Sequence, residues 1–479
     1  MVVTCIIEFD NNPFGTYYAG QVITGRVTLN ADKPKQVKGI ALKIRGFADT
    51  RWEESTSRRT TDSKGRSSTK RDTIHYRGHE EYIKSKTFLL GSDENQSSLI
   101  EPGIHTYTFA CHLPNTCPSS FEGIYGHIRY LVKVELIRPW KYNQTFTKGF
   151  TVLKVMDLNY DSPLLRVPSQ SEAQKVFCCG PCKTQPLDIH VSLPQGGYVP
   201  GQTIPVGVLI SNETNIRIEE AKVELVMLIC YYSQTPRTAT KNERIVVAKI
   251  KGEGVPVHCK KQFDYALIVP ATPPTCFNLC RLLQIAYQVQ VEIKVKGWHA
   301  NQVICVPVTV GNVPLMSVIQ KQPTATDSFA TGSAGYMQRA LMNGGTADEG
   351  EEVAVASADD VEEKTVAATG LKTNELEAVV QTSSGVTTNS SIMPLTPPSP
   401  WMTDDSIPPP SYEMAAHMKS AKINADEAHD YGEAEFAPRY PVFKLCSASE
   451  LGADEVDIVG TTNGSASAAN VTADKSTWL

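Results

Sequence analysis

Thr16-Tyr17-Tyr18-Ala19-Gly20-Gln21-Val22-Ile23 returns 181 residues later as Gly197-Tyr198-Val199-Pro200-Gly201-Gln202-Thr203-Ile204. At the same offset Val27 meets Val208, Leu29 meets Ile210, Val37 meets Ile218, Leu42 meets Val223 and Ile44 meets Leu225. A glycine ahead of an apolar strand supplies the positive φ of a tight turn without a Cβ penalty. The far ends of the copies match as well. Leu113-Pro114, Pro118, Phe121 and Tyr130 are answered by Val269-Pro270, Pro274, Phe277 and Tyr287. Matched starts and matched ends define an internal duplication.

Each copy reads as short alternating strands. In the first, Val3, Cys5, Ile7 and Phe9 share a face, as do Ile23, Val27 and Leu29, and Ile40, Leu42 and Ile44. Tyr107, Phe109, Cys111 and Leu113 follow, then Ile128, Tyr130, Val132, Val134 and Leu136, with Arg129, Lys133 and Glu135 turned outward. In the second copy Tyr287, Val289, Val291, Ile293 and Val295 alternate in the same way. Period two with Gly, Pro and Asn between the runs predicts antiparallel sandwiches, each sheet with one wet face.

The 479 residues suffice for two such domains and a long tail. No stretch of about 18 apolar residues is present, so no membrane-spanning helix is expected. The first residues lack a basic segment followed by an apolar run, so no secretory signal is expected and the 12 Cys read as reduced cytosolic thiols. The net charge of −5 conceals an asymmetry: 9 basic and 24 acidic side chains follow Val310, a balance of −15 that leaves the body at +10. A basic body with an acidic tail marks a boundary.

The Tyr-x-x-Gly-Gln turn, Phe121-Glu122-Gly123 ahead of Ile128-Arg129-Tyr130, Arg138-Pro139-Trp140 and their second-half echo resemble an arrestin N domain followed by an arrestin C domain. With its tail, the chain is most similar to the arrestin-domain-containing proteins, the α-arrestins. The resemblance implies an all-β fold: two tandem immunoglobulin-type sandwiches, each with a concave face, and a disordered C-terminal tail. The expected limits are an N domain at 1–156, a Cys-rich linker at 157–184, a C domain at 185–312 and an acidic tail at 313–479. The family implies a non-enzymatic adaptor for membrane cargo, receptors or transporters, without a cofactor.

Arg58, Arg59, Lys64, Arg66, Lys70 and Arg71 lie in a Ser/Thr-rich insertion in which no amphipathic helix can be drawn. Visual arrestins carry a helix in that domain, so their receptor mechanism does not transfer. The insertion reads as a basic loop, solvated or touching acidic lipid or phosphorylated segments.

Cys179-Gly180-Pro181-Cys182 matches a thioredoxin-type motif, but redox catalysis needs the first thiol at a helix N-terminus, and Pro186 stops a helix within a turn. Cys276 and Cys280 lack the second pair of a zinc site. Cys178 and Cys179 are candidates for acylation, with ordinary reduced thiols as the alternative. Some relatives bind thioredoxin through one C-domain Cys. That redox-regulator reading is the alternative function, though no motif fixes a match to Cys259.

Past about Leu315 the composition cannot bury enough apolar surface to offset the entropy of ordering, and disorder is expected. Pro408-Pro409-Pro410-Ser411-Tyr412 lies within this tail. Its prolines pre-form a polyproline II ridge, and Pro409-Pro410-x-Tyr412 is the form of WW-domain ligands. The family then implies a WW-containing HECT-type ubiquitin ligase as partner, with ubiquitination and sorting of cargo from plasma membrane to endosomes. Ala437-Pro438-Arg439-Tyr440 lacks the first proline and is a weaker WW candidate through Pro438 and Tyr440, or an apolar interruption in a loop. Two sites would add avidity. Thr396-Pro397 and Ser399-Pro400 fit proline-directed phosphorylation, and Lys419, Lys422 and Lys444 lie where a recruited ligase would reach. No phosphate-binding loop, dinucleotide fingerprint, zincin motif or hydrolase elbow occurs, and the basic insertion lacks the aromatics of a nucleic-acid site.

Overall fold

The computed structural model describes residues 3–61, 67–92, 97–179, 182–183, 185–316 and, in the tail, 409–415, 417–418, 420–423 and 429–444. The first domain begins with β1 (Val3–Phe9), β2 (Thr16–Tyr18), β3 (Val22–Ala31) and β4 (Lys35–Val37). It continues with β5 (Gly39–Thr61), β6 (Ser67–Gly91), β7 (Ser98–Ile100) and β8 (Gly103–His112), then β9 (Phe121–Glu122), β10 (Gly126–Ile137) and β11 (Gln144–Leu153). One sheet runs β1-β3-β8 and the facing sheet β2-β11-β10-β5-β6, with β9 on β10 and the small β4-β7 pair beside them. Ile23, Val27 and Leu29 from one sheet and Ile40, Leu42, Tyr130, Val132 and Val134 from the other are buried in the core. The alternation set that register, because a slip by one residue would turn every one of them to water.

The second domain uses β12 (Ser169–Lys175), the hairpin β13 (Cys178–Cys179) and β14 (Cys182–Lys183), β15 (Leu187–Leu193), β16 (Gly197–Tyr198) and β17 (Thr203–Asn212). β18 (Ile218–Tyr232), β19 (Thr240–Lys251), β20 (Cys259–Ile268), β21 (Leu283–Val295) and β22 (Gln302–Val310) complete it. Its sheets run β12-β15-β17-β20 and β16-β22-β21-β18-β19.

The duplicated turn does the same work twice. Gly20 and Gly201 both take φ +91°. Gly20 N–H donates to Leu113 O at 3.1 Å, and Gly201 N–H to Val269 O at 2.8 Å. Gln21 Oε1 accepts from Tyr18 N at 2.8 Å and Gln202 Oε1 from Val199 N at 3.2 Å. Behind each turn a tyrosine hydroxyl bridges the sandwich: Tyr130 donates to Pro118 O and Tyr287 to Pro273 O, both at 2.7 Å.

The two domains form one continuous core. Thr50 Oγ1 donates to Tyr232 O at 2.7 Å, Arg77 N–H to Thr235 O at 2.9 Å, and Arg281 N–H to the Glu80 carboxylate at 2.9 Å. The Asn312 side chain clamps the crossover by accepting from Met156 N and donating to Lys154 O, both at 2.7 Å.

Three expectations change. The linker expected at 157–184 is shorter, because Ser169–Lys175 pairs with β15 from Ser169↔Leu193 to Lys175↔Leu187. This outer strand, Ser-Gln-Ser-Glu-Ala-Gln-Lys, has no apolar alternation to announce it. The basic insertion is not a loop over its whole length. β5 and β6 pair through Ser57↔Arg71, Arg58↔Lys70 and Arg59↔Thr69 out to Thr61↔Ser67. A two-stranded ribbon standing beyond the core needs no apolar face, so its periodicity is silent; Lys64 and Arg66 lie outside the described residues. Finally, the described residues of the tail, where disorder is expected, carry strands. β23 (Ser411–Met414), β24 (Ala421–Lys422), β25 (Glu435–Phe436) and β26 (Arg439–Val442) form against the body.

Candidate functional site

Residues 429–433 of the tail meet β11. Its partner β2 covers only Thr151–Leu153, which leaves the edge nearer Gln144 open. Thr145 N–H donates to His429 O at 3.0 Å, while Tyr431 and Glu433 N–H donate to Thr145 and Thr147 O, both at 2.8 Å. Asp430 accepts from Thr147 N–H at 3.1 Å and from the Thr147 hydroxyl. This is strand addition to an unpaired edge. Gly432 is required there, because a Cβ would stand 2.1 Å from Thr147 N.

The chain then crosses the domain junction as β26, with Ser411↔Val442, Tyr412↔Pro441, Glu413↔Tyr440 and Met414↔Arg439 in register. Tyr440 is fully buried with Tyr18, Leu153 and Ala415, and its hydroxyl donates to Ser120 O at 2.9 Å. Phe443 is buried with Leu158, Leu165 and Val199, and its N–H donates to Pro200 O at 2.9 Å. Tyr18 and Val199 occupy equivalent positions in the duplicated turns, as do Ala19 and Pro200. One tail strand therefore grips the same turn in both domains.

The candidate WW residues sit on this strand pair. Pro409 is exposed and Pro410 half-buried. The Tyr412 ring packs beside Phe14 at 6.3 Å between centroids and against the cluster of Tyr18, Leu153, Ala415 and Tyr440. Burial pushes the Tyr412 phenol up to about 12. The second motif divides differently: Pro438 and Tyr440 are buried against the body, which makes Tyr440 an anchor of the docked tail. Lys422 and Lys444 are exposed; Lys419, Thr396, Ser399 and Pro408 lie outside the described residues. The His417 ring nitrogen Nε2 donates to Val247 O of β19 at 2.6 Å, so the tail touches both domains. Under it, Arg129 Nε meets Glu122 at 2.5 Å and Arg129 Nη1 donates to Lys422 O at 3.4 Å. Burial raises the Glu122 carboxyl, and Arg129 opposes that shift.

The outward face of β5, β6 and β10 is cationic. Lys43, Arg45, Lys84, Lys86 and Lys133 line an open cleft of ≈ 750 Å³ that Tyr142, Asn143 and His429 close at one end. Glu135 holds Lys43 at 2.5 Å, and Glu81 reaches Arg45 at 3.6 Å and Lys84 at 3.5 Å. Two carboxylates against five cations leave the face positive, suited to acidic segments.

The other sequence candidates separate from this site. Arg58, Arg59 and Arg71 lie on the exposed β5–β6 ribbon, where Arg59 donates to Ser67 at 3.0 Å. Cys178 and Cys179 lie in the β13–β14 hairpin with Cys179↔Cys182 in register. That backbone is a hairpin and not the helix start a dithiol nucleophile needs. Burial pushes the Cys111 and Cys280 thiols up to about 11 and those of Cys5 and Cys117 to about 12, which suppresses thiolate at neutral pH. Cys259 is half-buried on β20. Among the described residues, no three His, Cys, Asp or Glu groups are placed to hold a metal.

Two joined sandwiches of this topology, clamped at duplicated Tyr-x-x-Gly-Gln turns, define an arrestin-type adaptor scaffold. The chain belongs to the arrestin family: residues 5–159 match the family's "Arrestin (or S-antigen), N-terminal domain" and residues 183–315 its "Arrestin (or S-antigen), C-terminal domain". It is similar to Arrestin domain-containing protein 17 of Caenorhabditis elegans, 28% identical over 444 residues that span 90% of this chain and 97% of the relative. Arrestin domain-containing protein 4 of Mus musculus is 24% identical over 327 residues, 68% of this chain and 75% of the relative. Human Arrestin domain-containing protein 1 is 26% identical over 212 residues, 44% of this chain and 47% of the relative. The first of these likenesses extends well past the two domains.

Proposed function

We propose that this arrestin-family chain links membrane cargo to a WW-domain HECT-type ubiquitin ligase, promoting ubiquitination and sorting from plasma membrane to endosomes. The observation that carries the reading is the setting of Pro409-Pro410-Ser411-Tyr412. The proline ridge emerges at the surface while Tyr412 lies in a strand held by the tail's own β26.

A WW domain takes the prolines in an aromatic groove and the tyrosine ring in a second pocket. The ring cannot fill that pocket while it packs beside Tyr18 and Phe14. The ligand-competent tail is therefore the undocked one, and binding is weakened by the fraction of chains whose tail is docked. The cationic face of β5, β6 and β10 is the favoured cargo surface, because it would draw acidic cytosolic segments. The adaptor breaks and makes no bonds; it raises the local concentration of ligase beside its substrate.

The test is binding of purified WW domains to the full chain and to a peptide of residues 406–419, each with a Tyr412→Ala control. Binding to both that is lost in the controls supports the reading. Binding that ignores Tyr412 refutes it.

A further inference from the structure

The turn between β10 and β11 stands at the end of the first domain remote from the second. Gly126, at the start of β10, pairs with Thr50, which contacts Tyr232 of the second domain. Ile137, at the other end of β10, pairs with Gly39. At about 3.3 Å per residue, β10 separates this turn from the junction by roughly 36 Å.

The turn reads Arg138-Pro139-Trp140-Lys141-Tyr142-Asn143. Trp140 takes φ +58°, an uncommon and strained conformation for a bulky side chain. Its surroundings hold it there: Arg138 N–H donates to Asn143 Oδ1 at 3.2 Å, Arg138 Nε to Tyr142 O at 2.8 Å, and Asn143 Nδ2 to Glu135 at 3.0 Å. The outcome of this bracing is an indole 103% exposed and a Tyr142 ring 78% exposed. The same turn of the second domain, between β21 and β22, carries Trp298 at 105% exposure, just after Gly297 at φ +94°. Both domains thus hold a fully exposed tryptophan at this turn. Neither indole contributes to its own core.

Cations surround the first tip. Lys35 lies close enough to Arg138 and Lys141 for their charges to lower its pKa, with desolvation the larger cause. Two of these cations have neutral hydrogen-bond partners: Lys35 donates to Gln144 at 3.2 Å and Arg138 to the Tyr142 carbonyl. Lys33 and Lys141 are exposed. Leu99 and Ile104, both exposed, lie at the same end through the pairs Gln36↔Leu99 and Asn30↔Ile104.

We propose that this tip is an interfacial membrane anchor: Trp140 enters the headgroup boundary of an anionic bilayer, with Tyr142, stacked on His429 at 5.0 Å between ring centroids, at its rim, while Lys33, Lys35, Arg138 and Lys141 lie over its acidic headgroups. Amphipathic aromatics favour that boundary, and lysine and arginine near an anionic surface add electrostatic attraction. A protein partner would have to bring its own groove to a convex tip. A bilayer receives an outward indole without one. This inference does not depend on the ligase reading, since neither Tyr412 nor a WW domain enters the test.

The test uses the full chain and phosphatidylcholine vesicles with and without phosphatidylserine, read by co-sedimentation and by the shift of tryptophan emission. Binding is expected only with phosphatidylserine, accompanied by a blue shift. Trp140→Ala and the double variant Lys35→Glu, Lys141→Glu should each weaken it at least about tenfold. Trp140, Lys141 and Trp298 are exposed whereas Lys35 is half-buried against Gln144, so Trp140→Ala is the variant whose melting temperature should hold, and Trp298→Ala should retain the Trp140-dependent part. Binding unaffected by Trp140→Ala, binding without phosphatidylserine, loss in Trp298→Ala alone, or no binding at all would each overturn the proposal.

Discussion

Tyr440 donates its hydroxyl hydrogen to the carbonyl oxygen of Ser120 at 2.9 Å, a contact that spans 320 residues of sequence. Ser120 is itself fixed, because its N–H donates to Val152 O at 2.7 Å and its Oγ accepts from Val152 N at 2.9 Å. The tail thus closes on a rigid part of the first domain, beside the turn that the second domain repeats.

Truncating that anchor should free the tail without unfolding the body. Removal of a buried aromatic ring costs about 3–5 kcal/mol, more than a short strand pair is expected to withstand. In Tyr440→Ala, the amides of Ser411–Met414 and Arg439–Val442 should lose hydrogen-exchange protection while those of β10 and β21 keep theirs. Tyr440→Phe, which loses one hydrogen bond worth about 1 kcal/mol, should show a partial effect.

Gly201 is a second handle on the same contact. It takes φ +91°, and a Cβ there would stand 2.0 Å from Phe443 O. Gly201→Ala should destabilise the second domain and expel Phe443 as well. Gly20→Ala carries the same φ, and its Cβ would meet Asn115 Oδ1 at 1.9 Å instead. It should lower the melting temperature while leaving Phe443 docked, a difference that exchange of the Phe443 amide, which donates to Pro200 O, would read.

The core strands were legible because burial of one face imposes period two: Val27, Leu29 and Ile44, and their counterparts Val208, Ile210 and Leu225, are all buried as the alternation requires. β12 and the β5–β6 ribbon were not: Ser169–Lys175 has Ala173 as its one apolar residue, and Arg58 and Arg59 are exposed, so nothing apolar alternates in either. The docked strands of the tail were illegible for a different reason. Tyr440 and Phe443 are two apolar residues in a polar segment, and their partners Tyr18 and Val199 lie hundreds of residues away. Composition measures whether a segment can bury its own surface, not whether a finished domain offers it a groove. The short apolar run Tyr440-Pro441-Val442-Phe443 was the one local signal. The Pro-Pro-x-Tyr motif was legible; that its tyrosine rests against Tyr18 was not.

The Glu122–Arg129 pair lies under the tail, with side chains 6% and 15% exposed. Breaking a buried pair leaves an uncompensated charge and typically costs about 3–5 kcal/mol. Arg129→Ala should lower stability by an amount in that range, measured by denaturant unfolding. Adding Glu122→Gln should recover much of it, because the stranded carboxylate is then gone.

His127 should confer acid sensitivity. Burial, with Arg129 nearby, pushes its imidazole down from 6.5 to about 3. The folded state therefore prefers the neutral ring. The stabilisation is complete above about pH 6.5 and is lost as pH falls toward 3, at up to about 1.4 kcal/mol per pH unit. Asp49, 3.7 Å away, softens the effect by favouring the cation. His127→Phe should flatten the fall in melting temperature across that window relative to wild type.

The central claim is that a WW domain and the body compete for Tyr412. The most direct measurement is titration of one purified WW domain into the intact chain, into Tyr440→Ala and into a free peptide of residues 406–419. The intact chain should bind at least about tenfold more weakly than the peptide, a difference of about 1.4 kcal/mol. Tyr440→Ala should approach the peptide, and Tyr412→Ala should not bind. Equal affinity for intact chain and peptide would contradict the docked-tail account, and binding that survives Tyr412→Ala would contradict the ligase-adaptor function itself.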